Sequence, residues 1–188
     1  MEKLVERAVV EALGDGGSEA IRLYVAACTE RMTPLFMGLR ASTPGRESDL
    51  DFYAESVRDL WYADRPLAGA AERVRLLEQF PELQPKEEGI TDVVDTYAFF
   101  AVLTLRYALL AHGWASADDA VSCGHVALTA MGMLDQNVAG ASLLAEEQRL
   151  QSPSLSSDAA AGLWDASVTA GRERFRAVLG HLPRQSCF

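Results

Sequence analysis

The sequence predicts an all-α fold, a single-domain helical bundle of about seven helices spanning residues 1–188. Three observations predict it. Apolar residues recur at helical spacing along most of the chain, no stretch carries the two-residue alternation of a strand, and turn-forming residues fall between the periodic segments. A chain of 188 residues with 49% hydrophobic content can bury a core without help from metal or disulfides.

Leu4, Val5, Ala8, Val9, Ala12 and Leu13 share one face of a first helix, which Gly14-Asp15-Gly16-Gly17 ends. Ser18 caps a second helix running to about Arg40, in which Pro34 removes a backbone donor and predicts a kink, and Gly38 weakens the local helix. After the turn at Ser42-Thr43-Pro44-Gly45, Ser48 or Asp49 caps a third helix through Trp61-Tyr62, with Leu50, Tyr53, Val57, Leu60 and Trp61 on one face. Asp64-Arg65-Pro66 predicts the start of a fourth helix that Pro81 stops. Beyond an exposed loop at Pro85-Lys86-Glu87-Glu88-Gly89, Thr91 or Asp92 caps the fifth and most apolar helix, the predicted centre of the bundle. A sixth extends from Ala117 to Asn137, with a continuation to Arg149 as the alternative. The small polar tract 151–157 reads as a flexible loop, and the last helix spans Asp158 to Leu179 with Leu163, Trp164, Val168, Phe175 and Leu179 inward.

Twenty-seven acidic against seventeen basic residues give a net charge of -10, which repels phosphate backbones and anionic lipid. That argues against nucleic acid and membrane as partners and for a basic protein. Acidic pairs at Asp49/Asp51, Glu87-Glu88, Asp118-Asp119 and Glu146-Glu147 read as surface, and the arginines at 172, 174 and 176 as the closing turns of the last helix. Cys28, Cys123 and Cys187 are too few and scattered for a disulfide framework, and the amphipathic N-terminus lacks the apolar core of a signal peptide, so a reducing cytoplasm is expected. No run reads as long and apolar enough to span a membrane.

Chemistry-bearing patterns are sparse. The three histidines lack the Glu-x-x-His spacing of a bundle metal site, no nucleophile elbow or phosphate-cradling loop occurs, and neither metal nor cofactor is expected. Charges set within apolar helices remain: Glu30 and Arg31 on the second, Asp95 and Arg106 on the fifth, Asp135 on the sixth. Each needs a partner, because an unpaired buried ion costs several kcal/mol. One reading pairs Arg31 with Asp95 across two helices. The other has Glu30, Arg31, Asp95 and Asp135 converge on a ligand, with a carboxylate as general base. Trp61 reads first as core or core-rim, with a ligand platform as the alternative.

Cys28-Thr29-Glu30-Arg31-Met32-Thr33-Pro34 resembles the Cys-x-Glu-Arg-x-x-Pro segment of the bacterial helical proteins grouped as domain of unknown function four hundred and sixteen. Arg58-Asp59-Leu60-Trp61 is similar to that family's Leu-Asp-x-x-Trp helix, Val94-Asp95-Thr96 to its buried aspartate, and Ala120-Val121 through Met133-Leu134-Asp135 to a later helix. The likeness covers roughly residues 20 to 180 and departs after Pro34, where Leu35 and Phe36 stand in place of a polar residue and a tyrosine. It implies a single all-α domain and no particular activity. The Glu-Arg-x-x-Pro helix also resembles helical immunity proteins of bacterial toxin systems. Whether the chain is an enzyme stays open at this level. The leading reading is a cytoplasmic non-enzymatic domain that holds another protein, toxin neutralisation being one version. The alternatives are a small-molecule enzyme or binder with a polar pocket in the bundle, and a homodimer.

Overall fold

The computed structural model describes residues 4–85, 92–138, 140–155 and 160–181. Among them lie eight α-helices, two 3₁₀ turns and no strand, so the chain is all-α. The helices are α1 (Arg7–Asp15), α2 (Gly17–Arg40), α3 (Glu47–Tyr62), α4 (Ala70–Leu77), α5 (Val93–Trp114), α6 (Ala117–Asn137), α7 (Leu143–Gln151) and α8 (Ala160–His181).

Two elements share the centre. Tyr24 to Thr29 of α2 are buried without a break, as a helix enclosed on all sides must be, and α2 packs against α3, α5, α6 and α8. The predicted central helix, α5, lies against α2, α4 and α6. At 22 residues it also meets the length and composition of a membrane-crossing helix, which corrects the expectation that no run does; a bundle's central helix passes the same test.

Among the expected caps Asp92 is in place, whereas Ser18 and Ser48 or Asp49 do not cap, because α2 and α3 begin before them, at Gly17 and Glu47; Ser116 caps α6 in addition. Asp92 accepts from the Asp95 backbone N–H at 3.1 Å and Ser116 from that of Asp119 at 3.2 Å. Thr91 and the 86–89 loop lie outside the described residues. Other boundaries differ as well. The fourth helix begins at Ala70 instead of at Pro66, because Gly69 adopts φ 75° immediately before it. The sixth helix runs Ala117–Asn137 as read, and the further extension towards Arg149 does not form, because Gly140 at φ 79° redirects the chain into a separate α7. At the expected loop 151–157, Gln151 ends α7 in the core and Pro153–Leu155 forms a 3₁₀ turn with Ser154 buried, while 156 and 157 lie outside the described residues.

α2 runs through Pro34 as one helix, and its contact with α8 uses the two small residues facing that junction. The Phe175 ring of α8 occupies the space that a Cβ on Gly38 would need. A Cβ on Gly171 would sit 3.0 Å from the Pro34 ring and 3.1 Å from the Arg31 carbonyl oxygen. The inward stripe of α8 is Leu163, Ser167, Ala170, Arg174 and Val178, rotated from the predicted one, so Trp164 and Leu179 are exposed.

Candidate functional site

Adjacent residues on a helix project about 100° apart, so the Glu30-Arg31 pair of α2 is split between two environments. Arg31 turns into the core. Its Nε and Nη2 each donate to Glu147 of α7 at 2.8 Å, a bidentate pair, and Nη1 reaches the Ser154 and Ser167 hydroxyls at 3.4 Å. Arg174 of α8 donates through Nη2 to the same carboxylate, and all three side chains are wholly buried. Gln151 donates to Glu147 at 3.0 Å and to the Gly124 carbonyl at 3.1 Å, and accepts from the Tyr24 hydroxyl at 2.8 Å.

Two guanidiniums thus share one carboxylate. Burial pushes the Glu147 carboxyl up, but the charges of Arg31 and Arg174 and the hydrogen bonds from Arg31 and Gln151 outweigh it and hold the group at about 2. Burial raises the Cys123 thiol and the Tyr24 hydroxyl well above their ordinary values, so both stay protonated beside the cluster. Nε and Nη1 of Arg174 have no hydrogen-bond partner among the described residues. The geometry ties α2, α7 and α8 together through wholly buried side chains, which marks it as the polar lock of the bundle.

The expected Arg31–Asp95 pair does not form. Asp95 accepts from Arg40 Nη2 at 2.7 Å at the far end of α2, beside Glu82, which also accepts from Arg40 and doubly from Arg46. Asp135 accepts the Leu143 and Leu144 backbone N–H groups at 2.7 and 3.0 Å, holding the start of α7. The predicted convergence of Glu30, Arg31, Asp95 and Asp135 is therefore absent, each charge having a separate local role. One surface assignment also changes, since Glu147 lies in the core, where Arg174, read only as part of the closing turns of the last helix, lies beside it.

Glu30 and Trp61 do come together. They line a cleft of ≈ 310 Å³ between α2, α3 and α8, with Thr33 and Met37 on one wall, Arg58 and Tyr62 on another, and Trp164 on the third. Trp61 Nε1 donates to Glu30 Oε2 at 3.0 Å. No ion-pair partner for Glu30 is present among the described residues. Burial raises the Glu30 carboxyl above its ordinary range, against the Trp61 hydrogen bond and the charge of Arg172, which act to lower it. Arg58, at the rim, forms long ion pairs of 3.7 Å with Glu55 and Asp59. Tyr62 is 82% exposed and Trp164 48%.

A second groove of ≈ 410 Å³ lies between α5 and α6, lined by Phe100, Leu103, Tyr107, Val121 and His125 among others, and carries no charged side chain to orient a ligand. Among the described residues no group of three His, Cys, Asp or Glu side chains is placed to hold a metal ion. Cys28 and Cys123 are buried free thiols, and Cys187 lies outside the described residues. The chain matches no family model, no curated protein and no solved structure.

Proposed function

We propose that this chain is a cytoplasmic, non-enzymatic domain that holds a basic protein partner through the cleft between α2, α3 and α8. One observation carries the reading. Two large aromatic side chains left exposed, Tyr62 and Trp164, flank a cleft whose floor holds a carboxylate without an ion-pair partner among the described residues. Tryptophan and tyrosine are enriched at binding hot spots. The net charge of -10 adds long-range attraction for a basic protein, and neutralisation of a toxin is one form such binding takes.

The test is capture of a partner from the native organism by the wild-type chain and by Tyr62→Ala and Trp164→Ala, two substitutions at exposed positions that leave the core intact. The captured protein is expected to be basic and to be lost, at least tenfold, from both variants. Undiminished capture by both variants overturns the assignment of this face.

A further inference from the structure

We propose that the buried cluster of Arg31, Arg174 and Glu147 takes up one halide ion, chloride under ordinary conditions, on the open nitrogens of Arg174. This site is separate from the α2/α3/α8 cleft and does not depend on the protein-binding reading above.

Charge requires a further anion. Arg31 and Arg174 bring two positive charges to one carboxylate, and all three side chains are wholly buried. Glu147 is the one acidic partner of either guanidinium among the described residues. A buried lysine or histidine can lose its proton and become neutral, but a guanidinium stays charged in proteins, so the surplus persists. A charge held away from water without compensation is strongly disfavoured.

Hydrogen bonding places the ion at Arg174. Arg31 uses Nε and Nη2 on Glu147 and Nη1 on the Ser154 and Ser167 hydroxyls. Arg174 uses Nη2 alone, and its Nε and Nη1 are buried without a hydrogen-bond partner among the described residues. Side chains on a helix lean towards its N-terminus, so Arg174 extends back along the inward stripe of α8 towards Ser167, past Ala170, which presents only a methyl group. The Ser167 hydroxyl accepts from Arg31 Nη1 and donates to no acceptor among the described residues, which leaves its proton as one more donor.

The open groups are therefore all donors, and that selects the ligand. Each Glu147 oxygen already accepts from two donors, Oε1 from Arg31 and Gln151 and Oε2 from Arg31 and Arg174. Water entering here satisfies the N–H groups but brings two protons of its own and leaves the charge uncompensated. A halide accepts from any direction, donates nothing and supplies the missing negative charge. A carboxylate on another protein cannot reach a group this deep.

The experiment is urea unfolding of the full chain in potassium chloride and in potassium gluconate at equal ionic strength, gluconate being too large to enter the core. A ligand that binds only the folded state lowers the unfolding constant by about tenfold for each tenfold rise in its concentration above saturation, and the wild type is expected to show this with chloride. Arg174→Met serves as the reference, because both salts act alike on the rest of its surface. Its stability should be the same in the two salts, so that the gap from the wild type is smallest in gluconate and widens with chloride. Ser167→Ala keeps both guanidiniums and should need about threefold more chloride for the same effect. Crystals of the wild type grown in sodium bromide should show an anomalous peak within hydrogen-bond distance of Arg174 Nε or Nη1, a readout that stands even where Arg174→Met does not fold. Wild-type stability equal in the two salts, or a chloride effect undiminished in Arg174→Met, overturns the proposal. So does a bromide crystal with anomalous peaks at the surface only and water at Arg174.

Discussion

The shared carboxylate predicts that the two buried arginines are unequal in their importance to stability. Arg31 makes two charge-assisted hydrogen bonds to Glu147 at 2.8 Å, whereas Arg174 makes one and has two nitrogens without partners among the described residues. A hydrogen bond to a charged group contributes about 1.5–3 kcal/mol, so Arg31→Met forfeits about 3–6 kcal/mol, in line with the 3–5 kcal/mol typical of breaking a buried pair. Arg174→Met forfeits one such bond, about 1.5–3 kcal/mol, but removes the surplus positive charge of a cluster with two guanidiniums and one carboxylate, and with it the buried donors that lack partners. Its net cost should stay below about 2 kcal/mol. Glu147→Gln leaves both guanidiniums without a counter-charge and should cost more than either, a large share of the roughly 5–15 kcal/mol that holds a domain folded. Urea unfolding of the three variants and the wild type, read as midpoint shifts at constant slope, measures the order. Arg174→Met proving as costly as Arg31→Met would refute the reasoning, because Arg174 makes one bond to the carboxylate where Arg31 makes two and leaves two nitrogens unpaired among the described residues.

Acid should destabilise the fold in two overlapping windows. Glu147 is held at about 2 against an ordinary 4.5, so its contribution, about 3 kcal/mol at 1.36 kcal/mol per unit, is complete above pH 4.5 and lost as pH falls towards 2; burial lowers His112 to about 4 from 6.5, so the unfolded chain takes up that proton first and stability already declines below pH 6.5. An unfolding free energy that is flat between pH 7 and pH 3 contradicts both. Gly38→Ala should cost about 1–3 kcal/mol by forcing the Phe175 ring off α2, and an unchanged thermal midpoint would show that the ring has room to move. Association with a basic partner should slow markedly with added salt while dissociation changes little, since exposed charges beyond a screening length of about 8 Å steer without being buried; stopped-flow rates independent of salt would exclude steering.

Local signals in the sequence were sufficient for most helices, because the spacing of apolar residues and the caps at Asp92 and Ser116 depend only on neighbours. They failed at Gly69, whose positive φ delays the fourth helix past its expected start, and left open the continuation beyond Asn137 that Gly140 ends, both backbone conformations that composition does not announce. Burial of Glu30-Arg31 among apolar residues correctly demanded partners, but the partner of Arg31 stands 116 positions away, and the Glu146-Glu147 pair reads as solvated surface. A signal was present. Leu143, Leu144, Glu147, Leu150 and Gln151 recur at helical spacing, which puts Glu147 on the apolar face of α7, and Leu163, Ser167, Ala170, Arg174 and Val178 do the same on α8. Weighting that periodicity above the size of Trp164 and Leu179 would have turned α8 correctly and left both side chains outside.

The outward position of Trp164 links the polar lock to the cleft. Two walls of the cleft belong to α2 and α3, which pack directly on each other, but the third is carried by α8, whose placement depends on contacts deeper in the bundle. Arg174 holds α8 to Glu147, and Gly38 and Gly171 let it approach α2 closely enough for Phe175 and Pro34 to interlock. Arg31, the neighbour of Glu30, fixes the rotation of α2 against the same carboxylate. The carboxylate that lines the cleft and the indole across from it are therefore positioned by one buried ion cluster, which would serve recognition under the function proposed above. A rigid cleft loses less entropy when a flexible side chain enters it than a mobile one does, because the ordering of its walls is already complete in the free protein. Buried charge that contributes little net stability can in this way sharpen recognition at a surface it never reaches.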